Sequence, residues 1–268
     1  MLGGADGETE KMIQLDLSGK VIFLTGAMGA IAEHMVKKLS AAGAMLVLLD
    51  LKPPEDARES LRKWQVAEQS YIYHSCDLTK SDALNRVVDE SFERFPALDT
   101  VLGHAGGCGL HPFDTTSEAE FERIFRFNFL AQVSLTRAVF AQWMKRKTAG
   151  HLIFTSSYVA RVPHTKIPAY ASAKAALENF ARCMALEYAD SHIRVNVISP
   201  GNVAAGSSLK VFEEDASYRD FVLRVSLGQR NSPESIADAF VFLCSPLASE
   251  INGQIFSADY GSGIGNRL

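Results

Sequence analysis

Cysteine is scarce in this chain: four residues in 268, with no C-x-x-C pair among them. Cys76, Cys108, Cys183 and Cys244 are too scattered for a zinc site or a disulfide framework. They read as small buried hydrophobes or free thiols, which suits a reducing cytoplasm. The seven histidines include no H-E-x-x-H pattern, so no metal is expected. No apolar run approaches the roughly 20 residues needed to cross a bilayer, and no membrane association is expected. The acidic N-terminus, MLGGADGETEK, lacks the apolar core of a signal peptide. Basic clusters stop at KRK, Lys145–Lys147, and the formal net charge is -4, which argues against a nucleic-acid partner. Internal repeats, low-complexity tracts and Pro/Gly-rich linkers are missing too. Residues 1–16 are expected to form a flexible tail, and residues 17–268 a single domain.

What the chain does contain is alternation. Apolar runs rich in β-branched residues occur at Val21–Leu24, Met45–Leu49, Tyr71–Cys76, Thr100–Leu102, Leu152–Phe154, Arg194–Ile198 and Gln254–Ser257. Helical patterns lie between them at Ala32–Ala42, Asp56–Val66, Ser81–Phe95, Ser117–Lys147, Ala169–Tyr188 and Ser232–Leu243. Strands separated by helices predict right-handed βαβ units. The strands are almost continuously apolar, as a sheet covered on both faces requires. The expected fold class is α/β: one doubly wound Rossmann-like domain, a parallel seven-stranded sheet with helices on both faces.

Two stretches carry chemistry. The first, TGAMGAIA (Thr25–Ala32), sits between the first strand and the first helix. In such a unit glycines allow a tight turn, close backbone approach to a pyrophosphate, and close helix–strand packing. Here Gly26, Gly29 and Ala32 take those places. The second strand then ends on Asp50, an acid suited to the ribose hydroxyls of NAD and repulsive to a 2′-phosphate. Lys52 is the nearest cation to that position. The second stretch is HLIFTSSYVARVPHTKIPAYASAKAAL, in which a strand ends at Ser156 and Ser157 and a helix carries Tyr170 and Lys174. The i, i+4 spacing puts phenol and ammonium on one helical face. A nearby ammonium favours phenolate, so the tyrosine is expected to titrate below its usual value.

On these motifs residues 17–262 resemble the short-chain dehydrogenase/reductase family, in its single-domain form of about 250 residues. Family members carry a serine thirteen positions before the tyrosine, which matches Ser157 (170 − 157 = 13) and not Ser156. Asn128 in FRFNFLAQ, Asp77 in CDLT and NVISPG at Asn196–Gly201 match further family patterns. The resemblance implies an oxidoreductase that uses NAD to interconvert a secondary alcohol, such as a polyol or sugar, and its ketone. Ser157 would hydrogen-bond the substrate oxygen, Tyr170 would exchange its proton, Lys174 would bind nicotinamide ribose, and Asn128 would hold a relay water. The implied cofactor contacts are Gly26, Met28, Gly29, Ala30, Ile31, Asp50, Leu51, Asp77, Leu78, His104, Ala105, Gly106, Tyr170, Lys174, Pro200, Gly201 and Val203. Candidate substrate contacts are Ser157, Val159, His164, Asn202 and Phe212, the last two in a variable segment, 202–230, expected to close over a small-molecule substrate. A homotetramer or homodimer, paired through the long helices, is implied as well.

Three departures bear on cofactor affinity. Ala30 and Ala32 replace two loop glycines, G-H-A-G (Gly103–Gly106) replaces N-N-A-G, and Ala205 stands where a threonine usually caps the nicotinamide amide, leaving Ser207 or backbone to substitute. His104 reads more readily as a structural histidine than as a cofactor contact. Two alternatives stay open: a 3-oxoacyl-thioester reductase, or a non-catalytic nucleotide-sensing or scaffolding protein on the same fold.

Overall fold

The central strands are short, apolar and covered on both sides, and that fixes the architecture; the two edge strands are only partly buried. The computed structural model describes residues 15–225 and 228–264, apart from the side chain of Ser207. The seven strands are β1 (Val21–Thr25), β2 (Met45–Asp50), β3 (Tyr71–Ser75), β4 (Thr100–Gly103), β5 (Gly150–Thr155), β6 (Ile193–Pro200) and β7 (Ile255–Ala258). They pair in parallel in the order β3-β2-β1-β4-β5-β6-β7.

Side chains alternate across each strand, so each feeds two cores. Val21, Phe23, Val47 and Leu49 point to one face, where they meet α3 (Ser81–Arg94), α5 (Ala131–Arg146) and α6 (Pro168–Glu187). Ile22, Leu24, Leu46 and Leu48 point to the other, against α1 (Ala30–Ala41), α2 (Pro54–Lys63) and α9 (Pro233–Cys244). The remaining helices are α4 (Glu118–Phe125), α7 (Gly206–Glu214) and α8 (Ala216–Val225). β1 and β4 are neighbours although the chain leaves them in opposite directions. A crevice therefore opens at their carboxyl ends, where this kind of sheet binds ligands.

Most of the expected tail, residues 1–14, lies outside the described residues; Leu15 packs against the core and Leu17 is wholly buried. Helix starts shift by a residue or two, to Ala30 and Pro54, because a glycine N-cap and a proline at N1 set them. The expected single helix over Ser117–Lys147 is a larger correction. It is α4, one π-turn at Arg126–Leu130, then α5. A π-turn inserts one residue into the ladder, commonly at a functional position, and periodicity alone does not reveal it.

Trp143 shows how tightly one core is packed. It is fully buried, its indole N–H donates to Leu98 O at 2.9 Å, and its ring meets Phe92 edge-on at 6.3 Å. A Cβ on Gly150 would stand 2.4 Å from that ring, so only glycine fits beneath it. Trp143→Ala should cost about 3–5 kcal/mol in chemical denaturation. A loss below about 1 kcal/mol would mean the site collapses freely and the packing argument is wrong.

Candidate active site

The glycine turn takes its shape from steric necessity. Gly26 has φ of +69°, and a Cβ there would lie 2.8 Å from the Ala105 backbone. Gly29 is the N-cap of α1, so the first amides of that helix remain unpaired at the crevice and suit an anion. Ala30 is the first helical residue and lines the crevice, whereas Ala32 is fully buried against the sheet. Neither methyl opposes the backbone conformation that a glycine would have supplied. Thr25, not singled out from the sequence, holds the turn to its neighbour. Its hydroxyl donates to Leu102 O and accepts from the amides of His104 and Ala105, both at 3.1 Å.

Below the turn is a cavity of about 170 Å³, lined by Gly26, Asp50, Leu51, Asp77, Leu78, His104, Ala105 and Gly106 among others. Asp50 accepts from Met28 N at 3.0 Å and from Lys52 N at 3.2 Å. Met28 thus contributes its amide to fixing Asp50 and is not among the lining residues. Lys52 donates its ammonium to Ser60 at 3.0 Å. Asp77 accepts from the amide and hydroxyl of Thr79, which hold its carboxyl below the usual range.

A second cavity, of about 370 Å³, runs from Gly29, Ala30 and Ile31 past the ends of β4, β5 and β6 to the α7–α8 cover. Ser157, Tyr170 and Lys174 all line it, with Ser156 beside them. Ser157 ends the extended strand and caps a 3₁₀ turn, Tyr158–Ala160. Tyr170 and Lys174 stand one turn apart on α6, and the ammonium lies 5.6 Å from the tyrosine ring centre. Lys174 is 2% exposed and donates to Thr155 O at 2.8 Å. Burial pushes it down to about 8, offset in part by Cys108 and Glu178.

Tyr170 corrects an expectation. Burial raises its phenol above the ordinary value, with Cys108 adding to the shift and a hydrogen bond with Ser157 opposing it. Desolvation is the largest of these effects, so Tyr170 holds its proton at neutral pH.

Asn128, 1% exposed, sits in the π-turn. Its amide donates to Gly107 O and Ile124 O and accepts from Gly107 N, all at 3.0 Å. A Cβ on Gly106 would fall 2.9 Å from Asn128 Oδ1 and 3.1 Å from Lys174 Nζ. His104 donates to or accepts from Thr155 at 2.9 Å, stacks edge-on against Phe240, and lines both cavities. Burial, then Lys174, pushes it down to about 4, so it is neutral.

Pro200, Gly201, Val203 and Ala205 border the same cavity; the Ser207 side chain lies outside the described residues. Val159, His164 and Asn202 line it as well, but Phe212 does not. The Arg230 guanidinium lies 4.1 Å from the centre of the Phe212 ring, which takes that ring out of the cavity wall. Val211, one position earlier, lines the cavity instead, together with Tyr158, Tyr218 and Cys108. Tyr218 accepts from Asn202 Nδ2. Nothing in the sequence marked these four. Thr25 and Thr155 stood inside quoted motifs, and their hydroxyls could have been weighed there.

Comparison with known proteins fits this geometry. A family model described as enoyl-(acyl carrier protein) reductase matches residues 26–262. The chain is 29% identical over 247 residues to the 7alpha-hydroxysteroid dehydrogenase of Escherichia coli (strain K12), covering 92% of this chain and 95% of that one. It is 27% identical over 246 residues to the glucose 1-dehydrogenase of Gluconobacter oxydans (strain 621H), covering 91% and 92%. A solved structure of 7alpha-hydroxysteroid dehydrogenase, complexed with NADH and 7-oxo glycochenodeoxycholic acid, matches with a TM-score of 0.84 at 28% identity, over 92% of this chain and 96% of that one. With a family model covering most of its length and relatives spanning nearly all of it, the chain belongs to the short-chain dehydrogenase/reductase family of oxidoreductases.

Proposed function

We propose that the protein interconverts a secondary alcohol and its ketone with NAD(H), using Ser157, Tyr170, Lys174 and Asn128. One observation carries the reading: a serine, a tyrosine and a lysine from β5 and α6 converge on one cavity that continues to the glycine turn. That convergence also argues against a scaffold that has lost turnover.

The residues present fit a nicotinamide dinucleotide. Gly26 and Gly106 are cradles that a Cβ would fill, and the first turn of α1 offers free amides. The α1 amides would hold the pyrophosphate, Asp50 the adenosine ribose, Asp77 and Leu78 the adenine, and Lys174 the nicotinamide ribose. Asp50 in the smaller cavity, with Lys52 committed to Ser60, supports NAD over NADP. The cofactor supplies hydride transfer; the chain supplies position and proton movement. Ser157 orients the substrate oxygen, and Tyr170 gives or takes its proton. Lys174 keeps positive charge beside the phenol, and Asn128 fixes the Gly106–Gly107 backbone against which that lysine lies.

The wall opposite the glycine turn is largely apolar, with Leu110, Val159, Ile167 and Val211, and has the phenols of Tyr158 and Tyr218. It suits an alcohol on an apolar ring system better than an open-chain polyol. The named relatives act on a steroid and on a sugar, and a matched panel of cyclic alcohols and sugars scored by NADH absorbance separates the two. Including a 3-oxoacyl thioester in the panel tests the reductase alternative.

Tyr170→Phe should reduce turnover by about 10²–10⁴-fold while NAD affinity stays within a few-fold. The wild-type pH dependence follows from the site. Below about pH 8 Tyr170 and Lys174 are both protonated, the state that donates to a ketone; above it Lys174 is the first to release a proton. Reduction, which uses that donor state and leaves a phenolate beside the lysine, should therefore fall as the pH rises through about 8. A Tyr170→Phe enzyme of near-normal rate would end the mechanism.

Asp50→Ser should weaken NAD binding and narrow discrimination against NADP, through lost ribose hydrogen bonds and lost charge repulsion. Wild type preferring NADPH under matched conditions would overturn the cofactor assignment.

We also propose self-association through α4–α5 and α6. Leu130, Met144 and Leu186 are 39%, 47% and 82% exposed on those helices, a heavy apolar load for a monomer surface. Closed symmetry is the usual way to cover it. Light scattering should report a tetramer or dimer; a species of 29.3 kDa at micromolar concentration refutes it.

A further inference from the structure

Between Ser157 and Tyr170 the chain makes one 3₁₀ turn, and its two ends are unequal. Ser157 opens it: Ala160 N donates to Ser157 O at 3.0 Å. Arg161 closes it, its amide donating to Tyr158 O at 3.1 Å. The Ser157 hydroxyl accepts from Val159 N at 3.5 Å and hydrogen-bonds with Tyr170, so its contacts stay within the serine turn and α6. Arg161, by contrast, reaches out of the turn to two other elements. Its guanidinium donates to Ser199 Oγ at 3.0 Å and faces Asp259 Oδ2 at 3.8 Å.

Both partners are buried. Ser199 is fully buried in β6, next to Pro200 and Gly201 of the cofactor-side wall. Asp259, 6% exposed, follows β7 and accepts from Gly261 N at 2.9 Å and Gly263 N at 3.0 Å. The space around Asp259 is narrow, although the Arg161 side chain remains 32% exposed. A Cβ on Gly263 would lie 2.6 Å from Asp259 Oδ2 and 3.1 Å from Arg161, and one on Gly201 would lie 2.7 Å from Asp259 Cα. Among the described residues Arg161 is the one cation within 4 Å of this buried carboxylate. The arginine thus joins three pieces of chain: the serine turn, the end of β6 and the segment after β7.

We propose that Arg161, anchored by Asp259 and Ser199, is a positioning residue that sets the place of Ser157 in the cavity. The inference rests on the reading above, in which Ser157 orients the substrate oxygen. Misplacement of a reacting group by about 1 Å can cost on the order of 10²-fold in rate; Ser156 N ties the start of the turn to Ile198 O at 2.7 Å, and Arg161 ties its far end to Ser199 and Asp259.

The test is a double-mutant cycle on the full chain with the best alcohol found in the panel. Arg161→Met should lower kcat by about 10- to 100-fold, with NAD Kd within about three-fold and a retained thermal transition. Arg161→Lys, which can reach one partner but not both, should recover part of the rate. Asp259→Asn should behave like the weaker of the two and serves if Arg161→Met does not fold. In a Ser157→Ala background the arginine change should add almost nothing, because its effect passes through the serine. A full additional loss there, or a normal kcat in both Arg161→Met and Asp259→Asn, overturns the proposal. If Ser157→Ala is itself as active as wild type, the catalytic reading of Ser157 has failed, and that outcome is distinct from a failure of Arg161 alone.

Discussion

The carboxyl end of β4 is the point from which the rest of the site hangs. Gly103–Gly107 leaves the sheet beside β1 and must pass between the glycine turn, the π-turn and α6. Four side chains hold it there. Thr25 accepts from two of its amides, Gln132 donates to Ala105 O at 2.7 Å, Asn128 brackets Gly107 from both sides, and Lys174 fills the space beside Gly106. The same backbone presses on Gly26 closely enough to exclude a Cβ. The glycine turn, the Tyr170–Lys174 pair and Asn128 are therefore set by one short strand end, and displacing it would displace all three.

Burial at that point determines the electrostatics. Removal from water penalises the charged form of each group, so phenol and thiol titrate upward and lysine and histidine downward. The consequence for chemistry is a tyrosine that keeps its proton and a lysine that surrenders its own within reach of physiological pH. The ammonium is still the main local positive charge, since His104 is neutral. Such an arrangement costs stability, because a lysine 2% exposed has, among the described residues, a carbonyl as its one hydrogen-bond partner. The two large cores on either side of the sheet supply the surplus that makes this tolerable.

The cover over the cavity is built on a different principle. α7 and α8 are short and bury few residues, and their position depends on polar contacts at the root: Arg230 to Asn202 and to Val203 O, and Asn202 to Tyr218. The residues proposed for the chemistry thus lie on the sheet ends and α6, and the segment proposed to cover the substrate is lightly held.

Much of this was legible in the sequence because it depends on local rules. Strand and helix alternation gave the doubly wound sheet, and Gly26, Gly29, Asp50, Tyr170 and Lys174 stood at spacings that a βαβ unit and an α-helix place, whereas the choice of Ser157 over Ser156 came from the family resemblance. Tertiary structure decided the rest. The π-turn at Asn128 depends on α4 and α5 docking on α6 and β4, and no periodicity reports an inserted residue. The fate of Ala32, a core methyl and not a phosphate neighbour, depends on where α1 begins. Phe212 was lost to Arg230, and Val211 and Tyr218 gained, because a helix's inward face is chosen by what it packs against. The proton on Tyr170 is the clearest case. Spacing places an ammonium nearby, but only the depth of burial decides whether attraction to that charge or loss of water dominates, and depth belongs to the whole fold.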